Sequence, residues 1–326
     1  SFPGNPWLPK IRRQVLLQCC CRKLATGIVG RSMWRRVMHR LLAGCMFFCL
    51  SCFVVSPQPA QAFQQLRDGG KVEFETRSAF SHIRIRRSGS IRTMIFVRDS
   101  GEEAWESQMN LRTPHVLKFT YLQHMFSSYL LQPEQSRVMI VGLGGGSMVH
   151  FLQKYDPAVK IEAVEIDPVV VELAERYFAV KQNDNVRLVI ADAFDYLKQT
   201  KNKYDVIYMD AFLKPSADTD QTGVPLRLRT QQFYREIQQL LVANGSVVFN
   251  INPHPQMQQD LQVIAESFPQ TYVFALPNSE GVVAVGSLQP ERLTTAQLKA
   301  AGKQIDGRFK AGFSFEAIGG RVRKKN

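Results

Sequence analysis

Residues 138–152 read Val-Met-Ile-Val-Gly-Leu-Gly-Gly-Gly-Ser-Met-Val-His-Phe-Leu. The short apolar run Val138–Val141 predicts a buried strand, the glycines a turn, and the residues after them a helix to about Tyr155. The same rhythm repeats downstream. Ile161–Ile166 is a second strand ending at Glu165 and Asp167, with a helix opening at Pro168, a favoured first-turn residue. Val186–Ile190 is a third strand, ended by Asp192, and Tyr204–Met209 a fourth, ended by Asp210. A helix around Thr230–Leu241 and an Asn244-Gly245 turn lead to a fifth strand, Ser246–Ile251. Strands alternating with helices specify an α/β fold with a doubly wound parallel sheet. Thr271–Leu276 and Gly281–Gly286 have no helix between them, so they pair as an antiparallel hairpin that finishes the sheet.

Upstream, Val72 and Phe74, then Ile83 and Ile85, alternate with charged residues; Ser88-Gly89-Ser90 is a turn and Ile91–Val97 returns. This predicts a small antiparallel sheet closed by the cluster Asp99–Glu103, followed by one connecting helix over 116–131. The expected organisation is a leader and signal peptide at 1–62, a small β-domain at 63–115, a nucleoside-binding domain at 116–288, and a C-terminal helix with a basic tail at 289–326.

The chain has 326 residues and a net charge of +13, which taken whole suggests nucleic acid or membrane. The charge is not evenly spread. Residues 1–62 hold nine basic residues and no carboxylate, and Arg321, Arg323, Lys324 and Lys325 close the chain. Between 63 and 320 the counts are 28 basic and 28 acidic, so no nucleic-acid partner is expected. All six cysteines precede residue 53, which excludes disulfides, thiolate metal sites and a cysteine nucleophile from the body. Arg35, Arg36 and Arg40, the apolar run Leu41–Val55 and the small-x-small triplet Ala60-Gln61-Ala62 make a secretory signal peptide cut after Ala62. Export is therefore expected, with a membrane anchor as the alternative. Residues 1–32 read as leader upstream of the start.

Gly142, Gly144 and Gly146, Glu165, Asp192 and Asp210 all fall at carboxyl ends of parallel strands, where an open sheet binds its ligand. Glycines permit close backbone approach, and the next helix offers free N–H donors. Glu165 lies 23 residues past Gly142, the usual place of a carboxylate on a ribose. Asp192 is placed for an adenine amino group. The spacing is G-x-G-x-G, with Ser147 where a dinucleotide fingerprint has its last glycine, and no basic residue neighbours it to meet a pyrophosphate. This favours S-adenosylmethionine or its decarboxylated form as co-substrate. Glu165 and Asp192 also suit plain helix caps. His82, His124, His150 and His254 share no metal-ligand spacing, so no metal is expected. Phe309, Phe313 and Phe315 suit a tail packed on the body.

Four segments, VMIVGLGGGSMVHFL, IEAVEIDPVVVELAERYF, VRLVIADAFDYL and YDVIYMDAF, in that order behind a small β-domain, resemble the spermidine synthase (polyamine aminopropyltransferase) family over roughly 70–288. The resemblance implies a Rossmann-like, class I S-adenosylmethionine-binding fold. It makes Glu165 the ribose ligand, Asp192 the adenine ligand, Asp210 the general base and Tyr121 a wall of the amine groove. The partner is a small-molecule amine, and a homodimer is admitted. Where the family's glycine loop carries an Asp, this chain has Gly145; where it has a second amine-binding Asp, this chain has Leu213 beside Lys214. Leu122 and Ser81 replace two family glutamines. The nucleotide half matches and the polyamine half mostly does not. The expected activity is aminopropyl transfer to an amine, with methyl transfer or nucleoside binding without turnover as alternatives. Gly145→Asp is expected to restore preference for the decarboxylated co-substrate.

Overall fold

In the computed structural model, residues 70–213 and 216–324 are described. The leader, signal-peptide and cleavage-site expectations, and Lys214, lie outside them.

Four strands open the described chain: β1 (Lys71–Arg77), β2 (His82–Ser88), β3 (Ile91–Val97) and β4 (Glu103–Asn110). They form an antiparallel meander in that order. Ile83 and Ile85 turn inward and are fully buried, while Arg84 and Arg86 on the other face converge on Glu103 of β4. Such cross-strand ion pairs fix the register of a half-wet sheet. β4 corrects the expectation that Asp99–Glu103 ends this sheet. Arg98 N donates to the Glu102 carbonyl at 2.9 Å and Gly101 N to the Arg98 carbonyl at 2.9 Å, so the charged cluster is a hairpin turn. β4 also carries a bulge: Met94 faces Ser107 and Ile95 faces Trp105, leaving Glu106 without a partner on β3.

The connecting segment is shorter than the helix expected over 116–131. It comprises α1 (Thr120–Met125) and a 3₁₀ turn, Phe126–Leu130. Ser127 and Ser128, poor helix formers, are buried in that turn, and Ser128 Oγ lies 2.8 Å from Tyr208 Oη.

The large sheet contains β5 (Arg137–Val141), β6 (Lys160–Glu165), β7 (Val186–Ile190), β8 (Tyr204–Met209), β9 (Leu241–Ile251), β10 (Gln270–Ala275) and β11 (Val282–Ser287). Its order is β10-β11-β9-β8-β5-β6-β7. The five strands β5–β9 are parallel, and β10 and β11 are antiparallel, as the missing helix between them required. Between the strands run α2 (Ser147–Tyr155), α3 (Pro168–Phe178), α4 (Ala193–Gln199), α5 (Gln231–Gln238) and α6 (Met257–Ser267). α6 has no counterpart in the sequence reading. The expected Asn244-Gly245 turn falls inside β9, where Asn244 is left-handed and the register jumps from Tyr204–Leu241 to Val206–Ser246. α7 (Thr295–Phe309), opened by a Thr294/Gln297 capping box, and α8 (Phe315–Gly319) close the described chain.

The core lies on both faces of the large sheet. On one, Phe151 of α2 stacks on Phe126 at 4.1 Å and meets Phe313 at 5.8 Å and Phe309 at 6.1 Å. The phenylalanine stripe near the C-terminus is thus a tail packed on the body. On the other face Phe233, Tyr234 and Ile237 of α5 pack under Phe249 and Phe268. No helix among the described residues is long and apolar enough to cross a membrane.

Phe151 is 1 % exposed and touches rings from four segments. Phe151→Ala should cost about 3–5 kcal/mol of unfolding free energy, read by urea denaturation. A loss below about 1 kcal/mol would show that the tail does not share one core with α2.

Candidate active site

The glycine loop is built by a close approach. Gly142 leaves β5 with φ of +92°, and a Cβ there would stand 2.3 Å from the Asp210 carbonyl oxygen. Its N–H donates to the Val164 carbonyl at 2.9 Å, while Asp210 N donates to the Val141 carbonyl at 2.9 Å. Gly146, also left-handed, precedes α2, and a Cβ there would meet Val180 Cγ2 at 2.3 Å. Only glycine fits either position. Above this loop opens a cleft of about 1040 Å³. Gly142, Gly144, Gly146, Glu165, Asp192, Asp210 and Tyr121 all line it, so every site residue expected from the sequence reaches one cavity.

The three strand-end carboxylates are held differently. Glu165 accepts the Leu143 N–H at 2.9 Å and the Asp167 N–H at 3.0 Å, tying the end of β6 to the glycine loop. Burial pushes its carboxyl above the usual range despite those donors. Asp192 caps α4 by accepting Phe194 N–H at 2.9 Å, and its other oxygen accepts from Arg227. Arg227 reaches the cleft from the chain after β8 and lies over the Phe194 ring, on the Asp192 side. Asp210 accepts Asn250 Nδ2–H at 2.9 Å and faces the Tyr121 hydroxyl at 3.5 Å. Burial lifts its carboxyl from an ordinary 3.8 to about 6. Burial, then the Asp210 and Glu106 carboxylates, push the Tyr121 hydroxyl well above its usual range, which keeps it a donor.

Gly145 lies differently from the expectation. Its N–H donates to Ser107 Oγ of β4 at 2.8 Å, and it does not line the cleft. A Cβ there would meet Phe178 Cδ1 at 2.9 Å and Ser107 Cβ at 3.0 Å. Gly145→Asp therefore displaces the loop's neighbours instead of simply restoring a carboxylate to the site. Leu213 lines the cleft near Asp210.

Glu106, Asn250 and Arg227 were not anticipated. Glu106 sits at the bulge, where the alternation that marks a strand is broken. Asn250 lies in an apolar run and reaches Asp210 through the pairing of β8 with β9. Arg227 follows a polar loop with no spacing relation to Asp192. Among the described residues no group of three His, Cys, Asp or Glu side chains is placed to hold a metal ion.

What this arrangement can do is seat a nucleoside against bare backbone and surround a cation with carboxylates, one held at the floor by an amide and a phenol. The chain is similar to known proteins. Residues 120–279 match the family model described as the spermine/spermidine synthase domain. The polyamine aminopropyltransferase of Vibrio vulnificus is 28 % identical over 240 residues, covering 72 % of this chain and 76 % of that protein. That of Chromobacterium violaceum is 26 % identical over 252 residues, 76 % of this chain and 92 % of the relative. The eEF1A lysine and N-terminal methyltransferase of Mus musculus is 30 % identical over 168 residues, 49 % of this chain but only 24 % of that protein. Among solved structures, spermidine synthase in complex with the transition state analogue AdoDATO superposes with a TM-score of 0.61 at 19 % identity, covering 78 % of this chain and 86 % of that one. Human methyltransferase-like protein 13 in complex with SAH gives 0.55 at 25 % identity, covering 60 % and 94 %. Residues 120–279 thus match the spermine/spermidine synthase domain, and the chain is spermidine synthase-like.

Proposed function

We propose that this protein alkylates an amine, using an S-adenosyl sulfonium co-substrate. Aminopropyl transfer from decarboxylated S-adenosylmethionine is the first form of the proposal. The observation that carries it is Asp210, a carboxylate oriented by Asn250 and Tyr121 on the cleft floor beside the glycine loop. The likeness to polyamine aminopropyltransferases and to structures solved with SAH and AdoDATO supports it.

In this proposal Gly142, Gly144 and Gly146 admit the nucleoside close to the backbone, Glu165 accepts the ribose hydroxyls, and Asp192 accepts the adenine amino group. Both Glu165 and Asp192 keep oxygen lone pairs beyond those their backbone donors use. The co-substrate supplies a carbon activated by its sulfonium. The amine nitrogen bonds to that carbon, the carbon–sulfur bond breaks with its electron pair going to sulfur, and the proton leaves nitrogen for Asp210. An alkyl ammonium titrates near ~10, so a base at the nitrogen matters at neutral pH. A value near 6 leaves Asp210 mostly ionised at pH 7 yet basic enough to take the proton. The remaining contribution is positioning.

Methyl transfer from S-adenosylmethionine is the second form. The glycine loop favours it: Gly142, Gly144 and Gly146 line the cleft and carry no carboxylate to reject the carboxyl group of the ordinary co-substrate. The full chain should bind the two nucleosides within about threefold of each other in calorimetry. A strong preference for the decarboxylated form would remove this argument.

Asp210→Asn should lower kcat by about 10²–10⁴-fold, the usual worth of a general base, with nucleoside affinity nearly unchanged. Unaltered turnover would take the base role from Asp210. Stability should move the other way. A carboxyl raised from 3.8 to about 6 in the folded state gives stability below pH 4 that is lost as pH rises through 6. Asp210→Asn escapes that loss. Its unfolding free energy relative to wild type should therefore climb between pH 4 and 7, and a flat difference would contradict the buried carboxylate.

A further inference from the structure

Glu106 is the one residue of β4 that the bulge leaves without a partner on β3. A bulge re-aims a side chain, and this one lies on the wall of the cleft that contains Asp210 and Tyr121. Its carboxyl accepts no hydrogen bond among the described residues, unlike Glu165, Asp192 and Asp210. Glu106 also borders a second recess, open to solvent, which shares Ser81, Phe96, Glu106 and Leu213 with the main cleft and so continues it. Phe96, Val97, Ala104 and Leu213 give this annex apolar walls. Arg98, 3.3 Å from Glu102, and the imidazole of His82, 2.6 Å from Glu75, also line it. Among the described residues, Glu106 is the only carboxylate lining the annex.

A diamine needs a carboxylate at each end of its groove. Here the main cleft offers two, Asp210 and Glu106, and the annex beyond Glu106 offers apolar side chains, Ser81, Thr222, His82 and an arginine, with no further carboxylate among the described residues. We propose that Glu106 is a second carboxylate at the reacting amine and that the acceptor is a primary monoamine whose apolar tail fills the annex. The inference rests on the alkyl-transfer reading of the same cleft. An ammonium entering the cleft supplies the donors that Glu106 lacks, and Asp210 is left to take the proton. Burial and the nearby Asp210 push the Glu106 carboxyl up to about 8, with Arg98 opposing and Glu165 adding to the rise. Tyr121 is the other titratable group facing it, and stays protonated. In the free protein at pH 7 Glu106 is thus mostly protonated, and a bound cation must expel that proton.

The test uses the full chain, n-hexylamine and 1,4-diaminobutane. Binding is followed by calorimetry in two buffers of different ionisation heat, and alkylation is followed with each co-substrate. Wild type should bind hexylamine at least tenfold more tightly than the diamine and release close to one proton at pH 7. Glu106→Gln should weaken hexylamine at least tenfold and abolish the proton release, while nucleoside affinity stays within threefold as the check on folding. Leu213→Asp, a separate variant, should narrow the gap between the two amines. Equal or tighter binding of the diamine by wild type overturns the inference, as does an unchanged Glu106→Gln. If hexylamine is alkylated but either of those results is found, only this inference falls. If hexylamine binds as described but is never alkylated, the acceptor site stands and the transfer reading falls. If no amine binds, the inference falls with it.

Discussion

The site depends on one contact between backbones. Where β5 hands over to the glycine loop, Gly142 lies against the Asp210 carbonyl with no space for a Cβ. This contact sets two neighbouring strand ends at one height. The loop then receives Glu165 through the Leu143 N–H, and Asp210 faces the same opening. A side chain at 142 would separate the glycine loop from the Asp210 carboxylate, because both hang from this crossing. The parallel order β8-β5-β6 exists in many proteins; the absence of one methyl group makes it a site here.

Much of this was legible in the sequence. The glycines, Glu165, Asp192 and Asp210 stand at strand ends, and a strand end in a parallel sheet has a known position in space. Apolar runs bounded by Gly, Pro or a carboxylate announced β5 to β8, and the missing helix announced the hairpin of β10 and β11. What stayed hidden depended on irregularity or on distant pairing. β4 begins in a charged cluster and is interrupted by a bulge, so its period-two pattern never forms. Asn250 belongs to a buried strand and shows its role only when β9 is laid beside β8. Arg227 meets Asp192 across 35 residues of sequence with no periodic relation.

The carboxylates show how one residue type is put to different uses by its surroundings. Asp192 is tied by a helix N-terminus and an arginine, and Glu165 by two backbone donors. Asp210 has one firm side-chain donor, Asn250, and a distant phenol. Glu106 has none. The fewer the protein's own donors, the more a carboxylate depends on a ligand to supply them, and the order of this series runs from structural support to ligand contact.

Ser107, next to Glu106 in β4, spends its hydroxyl on the Gly145 N–H of the glycine loop. One short strand therefore touches both halves of the cleft: one residue fastens the glycine loop, and its neighbour lines the wall where the proposed acceptor would sit. The two specificities are not separable modules. A lineage that shifts β4 to admit a new amine also pulls on the nucleoside's seat, so changes in acceptor and co-substrate preference should be inherited together.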